Sequence, residues 1–368
     1  MTKACYVGVA GKARKVKKIY TGVANKARKV KKAYVGVGGK ARLFYSAEQK
    51  LSYHGTVTGL SQARGFLAAT TVGKYGLFGG GLNRSGASST VDAYNTSLVR
   101  STAAALSKTT CYSTATTVGD YGLFGGQPEV NAYSTSLVRS TPTALSQASS
   151  FLAATTVGNY GLFGGGATGF FDYYVSTVDA YNTSLVRSTP TALSQARCFL
   201  AATTIGGYGL FGGGGNDRSV LSTVDAYNTS LVRSTAAALS QVKNTLAATT
   251  IGNYGLFGGG NNDSSVLSTV DAYNTSLVRS TAAALSQARY YLAATTVGGY
   301  GLFGGGWNSK SAFSTVDAYN TSLVRSTPTA LSQAKYSFAA TTVGNYGLFG
   351  GGYDSKSDFS TVDAYTVV

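Results

Sequence analysis

The chain has 368 residues, with 31 Lys and Arg against 14 Asp and Glu, one His, 48 Gly, 26 Tyr and 4 Pro. A hydrophobic content of 43% excludes disorder by composition, and Gly, Thr, Ser and Tyr in place of Glu, Lys and Leu exclude a helical protein. Cys5, Cys111 and Cys198 are widely spaced and odd in number, so free thiols are expected rather than a disulfide framework.

Residues 1–42 hold thirteen Lys and Arg and no acid, so the net charge of +17 belongs mainly to this segment. The remainder has 31 − 13 = 18 basic and 14 acidic residues, a net of +4. A 14-residue period runs from Tyr6, Tyr20 and Tyr34, with turn candidates at Ala10-Gly11, Ala24-Asn25 and Gly38-Gly39. It predicts a basic β-meander over residues 1–46, with strands of about ten residues such as Ala13 to Val23. A meander this small buries little and is expected to complete its core against another chain. Lys12, Arg14, Lys15, Lys17, Lys18, Lys26, Arg28, Lys29, Lys31 and Lys32 would form an assembly anchor. A solvated surface without a partner and nucleic-acid binding are the alternatives, the second lacking stacked aromatics or an inserted helix. The stretch Lys29 to Tyr45, KVKKAYVGVGGKARLFY, is similar to N-terminal segments of tail and baseplate-associated proteins of phages and prophages of Gram-positive bacteria. That resemblance implies virion proteins as partners, a virion location and release by lysis. Lys12, Arg14 and Lys15 interrupt any early apolar run, so no secretory signal is expected. No segment approaches the roughly 18 apolar residues of a membrane span.

From residue 47 onward the period changes. YGLFGG begins at Tyr75, Tyr121, Tyr160, Tyr208, Tyr254, Tyr300 and Tyr346, and VDAY or VNAY follows each of them. Seven copies of one unit are present. Each unit reads as four short strands: FLAATTV, YGLFGG, STVDAY and LVRST in a typical copy, then a connection ALSQAR. That is the pattern of a propeller blade. An apolar strand, an aromatic strand ending in Gly-Gly (Gly164-Gly165) and a V-x-x-Y strand (Tyr181) resemble the kelch repeat over about residues 50–368. Kelch usually carries a Trp in its fourth strand, where this chain has Leu185, Val186 and Arg187. The expected fold is all-β: a seven-bladed kelch-like β-propeller over 47–368 behind the N-terminal meander.

The last unit lacks a fourth strand. A strand at about 50–58 is expected to supply it by pairing with residues 360–367, which removes exposed edges. Reading Asn95-Thr96-Ser97 as the hairpin loop puts Asp92 opposite Arg100, and likewise Asp179 and Arg187, Asp225 and Arg233, Asp271 and Arg279, Asp317 and Arg325. The same offset makes His54 and Asp363 a closure pair, with a His pKa raised by the carboxylate.

A search for chemistry yields little. Kelch-type copper oxidases use two histidines, two tyrosines and a cysteine, and His54 is the one histidine here. No nucleophile elbow and no phosphate loop occur; Gly-Lys is followed by Ala13 or Ala41. No enzyme activity, metal or cofactor is expected.

Binding is expected on one face. In a four-stranded meander the second-to-third loops and the unit-to-unit connections share a side. These are the segments that differ among the copies, whereas Asn-Thr-Ser recurs in most of the turns on the other side. Phe170, Phe171, Tyr173, Tyr174, Tyr290, Tyr291, Trp307, Phe313, Tyr336 and Tyr353 populate the variable side, with Ser, Gly and Asn between them. The expected function is recognition of a host-surface glycan or protein from a phage-like particle. A purely structural virion decoration and a cellular kelch-type adaptor are the alternatives.

Overall fold

The computed structural model describes residues 6–9, 12–15, 18–23, 26–30, 32–37, 40–46, 50–169 and 172–368. They fall into two compact units, Met1–Lys50 with Val368, and Leu51–Val367.

Among its described residues the first unit forms three hairpins: Tyr6–Val9 with Lys12–Lys15, Tyr20–Val23 with Lys26–Lys29, and Lys32–Val37 with Lys40–Ser46. Of the strand expected from Ala13 to Val23, Lys12–Lys15 and Tyr20–Val23 are described as strand, and residues 16 and 17 between them lie outside the described residues.

The second unit is a propeller of seven four-stranded antiparallel sheets. In blade 4, strand A is Ala201–Ile205, B is Tyr208–Gly212, C is Val224–Asn228 and D is Arg233–Ala236. The A strands of the other blades begin at Ala68, Thr114, Ala153, Ala247, Ala293 and Ala339. In blade 7, strand C is Val362–Val367, and Leu51–Val57 pairs against it in the D position, closing the ring.

The core lies between blades. One cluster joins Ala201, Ile205, Leu210, Val224 and Ala226 of blade 4 to Phe257 and Tyr273 of blade 5, and the others repeat this joint. The last Gly of strand B serves the joint rather than the backbone. A Cβ on Gly212 would lie 2.8 Å from the Phe257 ring, and one on Gly79 would lie 2.7 Å from Phe124. Leu231, where kelch carries its Trp region, takes a left-handed φ of 62° and packs on the joint between blades 3 and 4.

Two closed rings surround the axis. Strand A carries a Thr pair, and the second Thr of each donates to the carbonyl of its counterpart in the preceding blade. Thr117 to Thr71 O is 2.6 Å and Thr250 to Thr204 O is 2.5 Å. Because that proton is committed, the first Thr must donate to the second, as Thr70 does to Thr117 at 2.9 Å. The circuit closes with Thr71 to Thr342 O. The other ring is backbone. Tyr112, Phe151, Phe199, Thr245, Tyr291, Ser337 and Phe66 each donate N–H to the preceding member's carbonyl, at 2.7–3.2 Å.

Seven buried tyrosines end the C-strand motif, and each phenol donates to a backbone carbonyl; Tyr227 to Thr191 O is 2.7 Å. Burial raises the pKa of all seven above the ordinary 10. The unfolded chain loses phenolic protons first, so this stability is complete below about pH 10 and drains as pH rises. Thermal melts across pH 8–12 should stay level and then fall above about pH 10. These seven phenols should ionise only with unfolding; tyrosinate absorbance reaching its full value in a still-folded protein would contradict this.

Two registers differ from expectation. Tyr94, not Asp92, lies opposite Arg100, and Asp92 lies opposite Thr102. Asn95 Oδ1 accepts from the N–H groups of Ser97 and Val99, and Leu98 takes φ 62°, so the loop is Thr96-Ser97-Leu98, one residue later than read from sequence. Arg100 still reaches Asp92 diagonally at 2.9 Å, as do the other four expected pairs at 2.7–3.3 Å. The closure pair is also corrected. A bulge between Ala364 and Tyr365 leaves His54 unpaired, sets Thr56 opposite Asp363 and brings Tyr53 Oη to Asp363 at 2.9 Å. His54 is exposed and packs edge-on against Tyr346, 5.0 Å between centroids. The extra residue follows from Gly55, whose φ of 119° lets the strand kink.

Candidate functional site

The A–B and C–D turns share one face and hold each other in place. A Cβ on Gly158 of blade 3 would lie 3.1 Å from Thr229 in the C–D turn of blade 4, and equivalent contacts recur around the ring. Packing therefore accounts for the constancy of these turns. On the opposite face each D–A connection crosses the B–C loop of the blade it leaves, as Leu239 N–H to Ser222 O at 2.8 Å. It then bridges the B–C loop of the blade it enters, as in Cys198↔Gly215, Tyr290↔Trp307 and Tyr336↔Tyr353. The two variable sets of segments thus form one surface.

At its centre stand the seven residues of the backbone ring. All have left-handed φ of 50–58°, a costly conformation for aromatic residues. The interblade hydrogen bonds hold them there. Phe66, Tyr112, Phe151 and Phe199 form a contiguous arc with centroids 4.3–4.7 Å apart, and Tyr291 completes the set across Thr245. They line a depression of about 210 Å³ at the axis. Burial and neighbouring hydroxyls push the Tyr291 phenol up to about 12.

Five of the sequence-selected residues come together on blades 6 and 7. Tyr290 contacts Tyr291 at 5.2 Å, Tyr291 contacts Tyr336 at 6.4 Å, Trp307 contacts Tyr336 at 5.0 Å and Tyr336 contacts Tyr353 at 5.4 Å. All five are half-buried. Tyr173 and Tyr174 lie apart on the two-stranded ribbon of the blade 3 loop, where Tyr173 is 76% exposed. Tyr174 borders a separate polar hollow of about 490 Å³ with Asp217, Arg218 and Asp263. Phe313 sits at the base of the blade 6 loop, its N–H bonded to Gly306 O at 2.9 Å. Phe170 and Phe171 lie outside the described residues, as do the anchor residues Lys17 and Lys31. Lys12, Arg14, Lys15, Lys26, Arg28, Lys29 and Lys32 are described as strand backbone, and Lys18 is exposed.

Sequence reasoning missed a buried charge hub beneath this face. The basic residue of LSQAR or its variant is fully buried in five blades and pairs with the C-strand aspartate: Arg64–Asp92, Arg197–Asp225 and Arg289–Asp317 at 2.8 Å, Lys243–Asp271 and Lys335–Asp363 at 3.0 Å. The aspartate also accepts from the Ser N–H of the same motif, tying connection to blade. Burial lowers the pKa of each cation, and its aspartate partly offsets that. The signal was present in the copies. Blade 2 has Thr110 in place of the cation and Asn131 in place of the acid, whereas blade 3 has Ser149 in place of the cation and keeps Asp179, which among the described residues forms an ion pair with Arg187 alone.

No family model matches the chain, and no curated protein is similar to it. The seven-bladed ring is consistent with a kelch-type propeller.

Proposed function

We propose that the chain is a non-enzymatic recognition protein whose B–C and D–A face engages a host-surface glycan or protein. The observation carrying this reading is that nearly identical repeats place their differences, and their half-exposed aromatic residues, together on that face. Rigid aromatic groups among Ser, Gly and Asn give contact area at low entropy cost. In this reading the basic hairpins of residues 1–46 attach the propeller to other proteins of a phage or phage-like particle, tail or baseplate, and the chain is released by lysis. The resemblance of Lys29 to Tyr45 to such segments supports the setting. The test is surface binding by the purified chain to a panel of bacterial cells and glycans. Replacing Tyr173, Tyr174, Trp307 and Tyr353 together with Ala should abolish binding and leave the melting temperature within a few degrees. Ser97→Ala and Ser184→Ala, in the constant turns, should leave binding intact; loss of binding there would place the partner on the other face.

A further inference from the structure

The copies differ in a correlated way on blades 6 and 7. Cys198 and Gly215 of blade 4, and Asn244 and Asn261 of blade 5, are bridged pairs of small or polar residues. The same bridged positions hold Tyr290 with Trp307 and Tyr336 with Tyr353 in blades 6 and 7. The loop tips change at the same time. In blades 4 and 5 the capping Asn is followed by Asp217-Arg218 or Asp263-Ser264; in blades 6 and 7 the capping Asn308 or Asp354 is followed by Ser309-Lys310 or Ser355-Lys356, which keeps a cation and drops the acid beside it.

These tips are fixed rather than loose. Asn308 Oδ1 accepts from the N–H groups of Lys310 and Ser311 at 3.0 and 2.9 Å, and Asp354 Oδ1 from those of Lys356 and Ser357 at 2.9 and 2.8 Å. Lys310 and Lys356 are therefore presented at equivalent points of neighbouring blades. Both are exposed, and no ion pair to either occurs among the described residues. Arg84 of blade 1 extends the row, its guanidinium donating to Lys356 O. An aromatic platform and a row of cations, Lys310, Lys356 and Arg84, thus lie together in one sector.

We propose that this sector binds a uronic-acid polysaccharide. Its sugar rings would pack on Trp307, Tyr336 and Tyr353, and its carboxylates would meet Lys310, Lys356 and Arg84. The inference rests on the recognition reading above and names its ligand class. Single-stranded nucleic acid, the other anionic polymer that stacks on aromatic rings, fits less well. Successive rings are tilted by 41° and 70° rather than parallel. Asp354 and Asp358 flank the platform, where a carboxylate can accept hydrogen bonds from sugar hydroxyls, so the uronate groups would have to lie toward Lys310, Lys356 and Arg84.

Trp307 is the single tryptophan, so its emission reports on this sector alone. Titrating the full chain with galacturonate oligomers should give a saturable change in that emission. The fully methyl-esterified oligomers should bind at least about tenfold more weakly, and added salt should weaken the charged ones. K310A with K356A should weaken binding by about tenfold with an unchanged melting temperature. Equal affinity for the ester would overturn the charge assignment, and tighter binding of a single-stranded oligonucleotide would overturn the polysaccharide. If Trp307 responds to none of these while cell binding persists and depends on Tyr173 and Tyr174, this inference fails and the recognition reading stands. Absence of any surface binding removes both.

Discussion

Asp225→Ala should cost about 3–5 kcal/mol of folding stability, among the largest effects of any single substitution in the propeller. The carboxylate is fully buried, 2.8 Å from a guanidinium that is itself fully buried. Removing it strands the Arg197 charge with a bond to Phe211 O at 3.1 Å. Arg197 Nε and Nη1 already lack partners, so the cation has no other anion to turn to. The Ser194 N–H and Arg233 lose the same acceptor. Blade 2 shows what a neutral hub looks like. Thr110 and Asn131 occupy the two positions, Asn131 Oδ1 still accepts from Ser107 N–H at 2.8 Å, and a cavity of about 50 Å³ remains. The double change R197T with D225N should therefore cost less than Asp225→Ala alone. Urea denaturation of the single and double variants should give a coupling energy of about 2 kcal/mol or more. Additive costs would mean that the charges do not act as a unit.

Deleting residues 362–368 should abolish cooperative unfolding. The deletion removes Val362, part of the joint with blade 1, and Tyr365, part of the joint with blade 6, each 0% exposed. It leaves Lys335 buried without Asp363, and it frees Leu51–Val57, which pairs with nothing else. Burial of the two side chains at about 2 kcal/mol each and an unpaired buried charge at about 3–5 sum to about 7–9 kcal/mol. That is comparable to the whole stability of an ordinary domain, about 5–15 kcal/mol. Calorimetry should show no sharp transition, and proteolysis should cut first within 51–57. Removing Val368 alone, which is exposed, should change little. A seven-residue deletion that still melts within a few degrees of the parent would show that the ring is shut by something other than this strand pair.

The blade count was legible because YGLFGG marks a joint that every blade must make identically: Gly212 admits Phe257, and Phe257 in turn belongs to the same motif. Register was not legible. The hairpin loop depends on Leu98 adopting a left-handed φ, which propensity assigns to Gly or Asn instead. The one-residue shift moved Arg100 opposite Tyr94, and His54 was misplaced by extending the same offset across a bulge. The buried cations were hidden by a sound rule, that Arg and Lys stay at the surface. Comparison of position 110 with position 131 points to the exception, while blade 3, with Ser149 and Asp179, breaks the pattern. The aromatic residues of the variable face were legible as a set, but their division into a blade 6–7 platform and a separate blade 3 ribbon depends on interblade bridges such as Tyr336↔Tyr353 that no single repeat encodes.

The two circular hydrogen-bond arrays around the axis have no first or last member. Duplication of one repeat unit would add one amide donor with one acceptor, and one threonine pair, leaving every bond of the same kind as before. Neither array can therefore count blades. What remains to distinguish one count from another is the packing between blades, where each Phe ring lies against the last strand-B Gly of the preceding blade. A gene built of nearly identical units is prone to unequal recombination. In this protein the hub of the wheel would accept the product, and the burden of rejecting a six- or eight-bladed ring falls on the joints between blades.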